Sequence, residues 1–226
     1  MARKVIIWGM GLEYDLMLNS IDYEILKGNL NVQALVCRKA DQYCSKKDGF
    51  PVIIKEDIYN VDFDYVIITS SKFFSEIKQE AIAIGIHENQ IVNGKLLMQP
   101  QFDFMRYVSL IENPITILSD DCWGGYVYHR LCLPFTSPLV NIYWDRTEYA
   151  RFIQNPLFYL ETELIMEREG NLKKGIHPIG RLGTKNDHVS LELVHSACFD
   201  EAKEQWERRK KRINPDNLFV KMGFSS

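Results

Sequence analysis

The sequence lacks an excess of basic charge. Its 226 residues carry 27 Lys and Arg against 30 Asp and Glu, for a formal net charge of −3. A general nucleic-acid binder needs a basic face to meet phosphates, so nucleic acid is not expected as a partner. A long apolar run is also missing. No stretch approaches the roughly 20 apolar residues that cross a bilayer, so no membrane span is expected. The first apolar run, Val5 to Leu12, is broken by Gly9 and Gly11 and meets Glu13 and Asp15, which is wrong for a secretory leader or an anchor. Cysteines are few and scattered, at positions 37, 44, 122, 132 and 198, with no C-x-x-C pair among them. That disfavours a disulfide framework and a structural zinc site, and the expectation is reduced thiols in a cytoplasm. Internal repeats and low-complexity segments are absent too.

What is present is a composition of ordinary globular type, with 46% hydrophobic and 25% charged residues. Lys4 to Trp8 is a β-branched apolar run suited to a buried parallel strand. Gly9-Met10-Gly11 follows, and from Glu13 the apolar residues Tyr14, Met17, Leu18, Ile21 and Ile25 recur at helical spacing up to Gly28. Asn31 to Cys37 is the next strand, which completes a βαβ unit. Gly49 to Ile53 reads as an edge element, Tyr65 to Thr69 as a buried strand, Phe73 to Ile84 as an amphipathic helix and Gln90 to Asn93 as a last short strand. The expected fold of residues 1–100 is therefore an α/β, Rossmann-like parallel-sheet domain. Gly9 and Gly11 are its candidate cofactor-binding residues, because such glycines let backbone N–H groups approach a phosphate at a helix N-terminus. Tyr14 stands where the dinucleotide fingerprint has its third glycine, and no acid follows Cys37 directly, so a standard dinucleotide is disfavoured. Arg38 is a candidate phosphate contact instead. A nucleotide or nucleotide sugar is the cofactor or ligand class this leaves, and a domain that binds nothing is the alternative.

Gln99-Pro100-Gln101 breaks the pattern, and the boundary is expected between about 98 and 114, around a helix from Asp103 to Glu112. Residues 101–226 form the second expected domain, α/β or α+β. Ile115 to Leu118 reads as a strand, then Ser119-Asp120-Asp121 as cap residues of a helix that starts at Cys122 or Trp123. A cysteine in a first helical turn feels the positive end of the dipole, which favours thiolate. His195, at the end of an alternating run from His188 to Val194, is the best candidate base, with Asn214, Asp216 or Asp187 as orienting groups. The plain alternative is a buried small cysteine and a histidine that caps a strand. Cys132 and Cys198 read as structural. Leu139 to Trp144 reads as a strand, Asp145 as the cap of a helix toward Asn155, and Pro156 to about Glu169 as another helix. His177 to Gly183 is glycine-punctuated and suited to approach a ligand. The final helix starts near Asp200 and carries Arg208, Arg209 and Arg212, either as a solvated C-terminal charge run or as anion contacts.

Two resemblances add to this reading. Val5 to Gly11, Gly49 to Ile53, Asp64 to Ser71, Glu76-Ile77 and Gly85-Ile86 are similar to the N-terminal domains of bacterial sugar O-acyltransferases, which implies a Rossmann-like fold able to hold nucleotide sugars. SDDCWGGY from Ser119, LPFTSP from Leu133, PIGRL from Pro178 and WERRKKRINPDNLFV from Trp206 together resemble a bacterial family of unknown function labelled as exopolysaccharide-biosynthesis proteins. That family often has Asn-Asn where this chain has Asp120-Asp121. The order strand, Cys-led helix, proline loop, strand-end histidine and Arg-rich helix also resembles papain-like cysteine peptidases. The resemblance falls on Cys122, Pro134-Phe135, His195 and Arg208-Arg209 and implies a papain-like second domain with Cys122 and His195 as catalytic groups; Asn214 stands as the candidate third, beside Asp216 and Asp187.

Three functions stay open at this point. One is an enzyme of cell-surface polysaccharide metabolism using Cys122 and His195 for acyl transfer or hydrolysis. Its substrate would be a small molecule or nucleotide sugar met by Asp121, Trp123, Ser137, Arg208, Arg209 and Arg212, with a homo-oligomer as a permitted assembly. Another is a glycosyl- or phosphoryl-transferring enzyme in which the arginines grip phosphate and Asp120 or Asp121 serves as acid, base or metal ligand. The last is a non-catalytic binding module of a biosynthetic complex.

Overall fold

Strands and helices alternate through the first half of the chain, as the contiguous apolar runs require. The computed structural model describes residues 1–37, 44–171 and 174–223. The chain divides into two units, Met1–Glu112 and Asn113–Ser226. Among the described residues, no helix is long and apolar enough to cross a membrane.

The first unit contains strands β1 (Arg3–Trp8), β2 (Leu30–Cys37), β3 (Lys46–Lys47), β4 (Phe50–Ile54), β5 (Tyr65–Ile68) and β6 (Ile91–Asn93). Its helices are α1 (Leu12–Leu26), α2 (Phe74–Ala83) and α3 (Phe104–Glu112). The strand order is β3-β4-β2-β1-β5-β6. All neighbours pair in parallel except the two-residue β3, which is antiparallel to β4. Val5, Ile6, Ile7 and Trp8 of β1 are all fully buried, as expected of a central parallel strand covered on both faces. Helix α1 buries Tyr14, Met17 and Ile21, the positions its spacing picks out.

A division at residue 100 would separate α3 from this unit, yet α3 packs within it. The Phe104 N–H donates to the buried Glu24 carboxylate at 3.0 Å, the Phe104 ring meets Tyr65 edge-on, and Glu112 pairs with Arg3 at 2.6 Å. These contacts are long-range in sequence and leave no local periodic mark.

The second unit contains β7 (Thr116–Ser119), α4 (Trp123–Arg130), α5 (Arg146–Phe152), α6 (Pro156–Glu161), β8 (Ile165–Arg168), β9 (Ile179–Gly183), β10 (His188–Glu192), α7 (Phe199–Lys210) and β11 (Leu218–Lys221). Strands β8, β9 and β10 form an antiparallel sheet, and β7 pairs in parallel with β11. Leu118, Trp144, Phe152, Leu182, Leu191 and Trp206 belong to one buried cluster, so both sheets and three of the segments between them share a core.

Several elements differ from expectation. Leu139 to Trp144 is a turn segment, not a strand, and its Tyr143 makes only an isolated bridge to Glu192. The helix from Pro156 stops at Glu161, and Ile165–Arg168 is a strand exposed along its whole length. The glycines of β9 serve packing rather than a ligand. A Cβ on Gly180 would lie 2.6 Å from Leu164 Cδ1, and one on Gly183 would lie 2.3 Å from the Asp187 carbonyl oxygen. Cys132 and Cys198 are exposed, not structural core residues.

Candidate functional site: a thiol and an imidazole in the second unit

Strand β7 ends at Ser119, and the chain must turn at once into α4. Ser119 Oγ donates to the Asp121 carbonyl at 2.8 Å and accepts from the Gly124 N–H at 3.1 Å. Asp121 Oδ1 accepts from the Trp123 N–H at 2.9 Å. These bonds satisfy N–H groups that a helix start leaves without partners. They also fix Cys122 as the residue that caps α4, half-buried at the end of the strand.

The segment around Tyr143 ties this turn to β10. Trp144 N–H donates to the Asp120 carbonyl at 3.1 Å. Tyr143 and Glu192 exchange both backbone hydrogen bonds, at 3.0 and 2.9 Å. The chain leaves β10 and turns back through Ser196 N–H to the Leu193 carbonyl, 3.3 Å, which leaves His195 exposed between them. Cys122 Sγ and His195 Nε2 then lie 3.5 Å apart. That is hydrogen-bond distance for sulfur, and the geometry fits a thiol donating to an imidazole nitrogen.

The electrostatics differ from the dipole argument. Burial, and after it the Asp121 charge, push the Cys122 thiol above its usual range. Both causes disfavour the thiolate, so the geometry suits an imidazole that takes the proton when the sulfur reacts. Asp120 and Asp121 are themselves held by Lys221 of β11, whose Nζ reaches Asp120 Oδ1 at 3.1 Å and Asp121 Oδ2 at 2.7 Å. Gly223 N–H adds a bond to Asp120 Oδ2 at 2.7 Å. Burial alone would raise Asp121, but the Lys221 and Trp123 contacts outweigh it and hold the carboxyl below its usual range. Lys221 had no signal in the sequence, since it meets these acids only by parallel pairing of distant strands.

The glycine turn of the first unit is occupied by protein. Gly9 has φ +116°, and a Cβ there would lie 2.5 Å from Thr69 Oγ1. Lys47 Nζ donates to the Met10 carbonyl at 2.9 Å, pairs with Asp15 at 2.6 Å and sits over the Tyr14 ring. Glu13 accepts the Ser71 N–H at 2.8 Å. Two acids in the first turn of α1 oppose an anion at that helix end. Gly9 is thus required by the turn itself. Gly11 caps α1 with open space around it, and Arg38 lies outside the described residues.

Residues 93–226 match the family model described as Domain of unknown function (DUF1919). The chain belongs to the DUF1919 family. Residues 1–92 match the model described as C2185-like, N-terminal. An uncharacterized protein of Haemophilus influenzae is 33% identical over 113 residues, which cover 50% of this chain and 51% of that protein. The chain thus spans about half the length of the curated relative it matches.

Within the DUF1919 region, the other expected residues fall in different places. Asn214 is not beside the pair. Its side chain donates to Asn113 Oδ1 and the Pro114 carbonyl, both at 2.9 Å, at the opposite end of β7 from Cys122. Ser137 is fully buried and accepts the Leu139 N–H at 3.2 Å, so its hydroxyl shapes its own loop. Trp123 is exposed and stacks on Phe219 with ring centroids 6.0 Å apart. Arg208 and Arg212 are exposed, whereas Arg209 is buried and donates to the Val140 carbonyl at 2.8 Å and Gln205 Oε1 at 3.1 Å. Asp187 accepts from Tyr159 at 2.7 Å.

Proposed function

We propose that the DUF1919 unit is a thiol enzyme of acyl transfer or hydrolysis, with Cys122 as nucleophile and His195 as base. The 3.5 Å contact between Sγ and Nε2, at a half-buried sulfur and an exposed ring, is the observation that carries it. In the reaction, the Cys122 proton passes to Nε2 as Sγ bonds to an acyl carbon. The imidazolium then returns that proton to the leaving group as its bond to carbon breaks. Water or an acceptor hydroxyl next attacks the thioester carbon, losing its proton to His195; the carbon–sulfur bond breaks, and the imidazolium returns the proton to Sγ, which restores the free thiol.

A cysteine that caps a helix, paired with a histidine just beyond a strand, supports a papain-like reading of this unit. The resemblance to exopolysaccharide-biosynthesis proteins supports cell-surface polysaccharide metabolism as the setting. In the first unit, the order β4-β2-β1-β5-β6 supports a Rossmann-like reading, with a crevice where the order reverses between β1 and β5. A pyrophosphate there would have to displace Lys47 and meet Glu13 and Asp15, so a nucleotide sugar is the weaker part of the proposal. The phosphoryl-transfer alternative loses support because Asp120 and Asp121 are already engaged by Lys221.

Alkylation tests the pair directly. With iodoacetamide near neutral pH, read by peptide mass spectrometry, Cys122 labelling is followed in the unaltered protein and in His195→Ala, with the exposed Cys132 and Cys198 as internal references. His195→Ala should slow Cys122 alone, by about a hundredfold if general-base help is lost. Equal labelling of Cys122 in both proteins would refute the nucleophile assignment.

A further inference from the structure

Helix α1 is apolar on two sides. The side packed into the first unit carries Tyr14, Met17 and Ile21, which are buried. The other side carries Leu12, Leu16, Tyr23 and Leu26, which are 75%, 60%, 60% and 86% exposed. At about 100° per residue these four fall within an arc of roughly 80°, and Asn19 lies on the same line. The alternating steps of four and three residues, from Leu12 through Leu16, Asn19 and Tyr23 to Leu26, are those of a seam by which one helix packs on another. Single exposed apolar side chains are ordinary, but a continuous row of them along a whole helix marks a contact surface.

The charges beside the row complement each other end to end. Glu13 stands in the first turn and Lys27 caps the last, on the same flank of the row. Lys27 Nζ lies 5.5 Å from the centre of the Tyr23 ring, so its charge borders the row. Glu13 gives one carboxylate oxygen to the Ser71 N–H and keeps the other. Asp15, on the opposite flank, is already paired with Lys47 at 2.6 Å. Two copies of α1 packed antiparallel set each Glu13 beside the partner copy's Lys27 and oppose the two helix dipoles. A parallel pair would bring the acidic starts together.

We propose that this face of α1 is the contact of a two-fold homodimer, in which the row of one copy packs antiparallel on the row of the other. Such a contact uses the same patch twice and closes on itself. The two rows together bury on the order of 1,000 Å², near the lower limit for a specific interface, so the dimer exchanges with monomer.

The test is the oligomeric state of the full chain. Light scattering across about 1 to 200 µM spans the range in which so small an interface dissociates, and the mass should rise from one chain to two. Leu16→Glu and Tyr23→Glu should each hold the protein at one chain throughout, with an unchanged circular dichroism spectrum, since both side chains are exposed. A zero-length carbodiimide cross-link reads the orientation. Lys27 and Glu13 are roughly 21 Å apart along one helix, so a link between them joins two copies. The link from Lys27 to Asp103 within one chain is the control. The Lys27–Glu13 link should form in the unaltered protein and vanish in Leu16→Glu, while the control persists in both. A single-chain mass at every concentration overturns the proposal, as does a dimer that survives both substitutions or lacks the Lys27–Glu13 link. If a substitution unfolds the chain, the mass and the cross-link of the unaltered protein decide.

Discussion

Burial, and after it a single carboxylate, act on the candidate nucleophile: Asp121 lies next to Cys122, and both push its thiol above the usual range. Asp121→Asn keeps an oxygen for the Trp123 N–H and removes the charge. It should lower the thiol pKa and speed iodoacetamide labelling of Cys122 near neutral pH, by up to about tenfold for one pKa unit. The sign is fixed because a raised thiol pKa means less thiolate at a given pH, so labelling in the unaltered protein should climb through alkaline pH. Tyr128 is the matching structural case. Its hydroxyl accepts from the Ile117 N–H at 2.8 Å, donates to the Ile115 carbonyl at 2.9 Å and meets Thr136 at 2.9 Å. Tyr128→Phe leaves a buried strand N–H without a partner and should cost about 1–3 kcal/mol in urea unfolding. Cys122 and His195, which the fold brings to 3.5 Å, were legible as candidates from residue type and from their places after apolar runs. Asn214 was not placed correctly, because a run such as Asn214 to Asn217 says nothing about which end of β7 it will reach.

At the scale of elements, β11 and β7 depend on each other through Lys221. Replacing it as Lys221→Met leaves Asp120 and Asp121 facing each other without their cation, and should destabilise the second unit by about 1–3 kcal/mol, read by urea unfolding. The same link predicts a pH effect. Asp121 has a depressed pKa in the fold, so its contribution is present above the unfolded carboxylate range and is lost as pH falls through the folded value. The stability difference between the unaltered protein and Lys221→Met should therefore shrink in acid. The first-unit sheet was legible because β5 and the ends of β1 and β2, Val5–Trp8 and Ala34–Cys37, are contiguous apolar runs buried throughout, as doubly covered strands require. Strand β8 was not, since all of Ile165–Arg168 is exposed and its residues carry no inward face to read. Leu139 to Trp144 misled in the other direction. Its residues are apolar because they line a shared core around Arg209 and Trp206, and a buried turn has the same composition as a buried strand.

On the scale of the molecule, the whole thiol–imidazole assembly sits inside Asn113–Ser226, with a core cluster of its own. A fragment of residues 113–226 should fold cooperatively and keep the Cys122 labelling pattern of the full chain, measured by circular dichroism melts and peptide mass spectrometry. Loss of that pattern in a folded fragment would show that the first unit contributes to the site. Strand β11 carries a temporal consequence as well. Lys221 reaches Asp120 across 101 positions of sequence, so the segment that steadies the turn beside Cys122 is among the last parts of this unit to be synthesised. While the ribosome still holds that segment, the nascent unit lacks the brace on its acidic turn. Competence of the sulfur should therefore appear only once β11 has left the ribosome and paired with β7, and slowly by the standards of proteins built from neighbouring contacts.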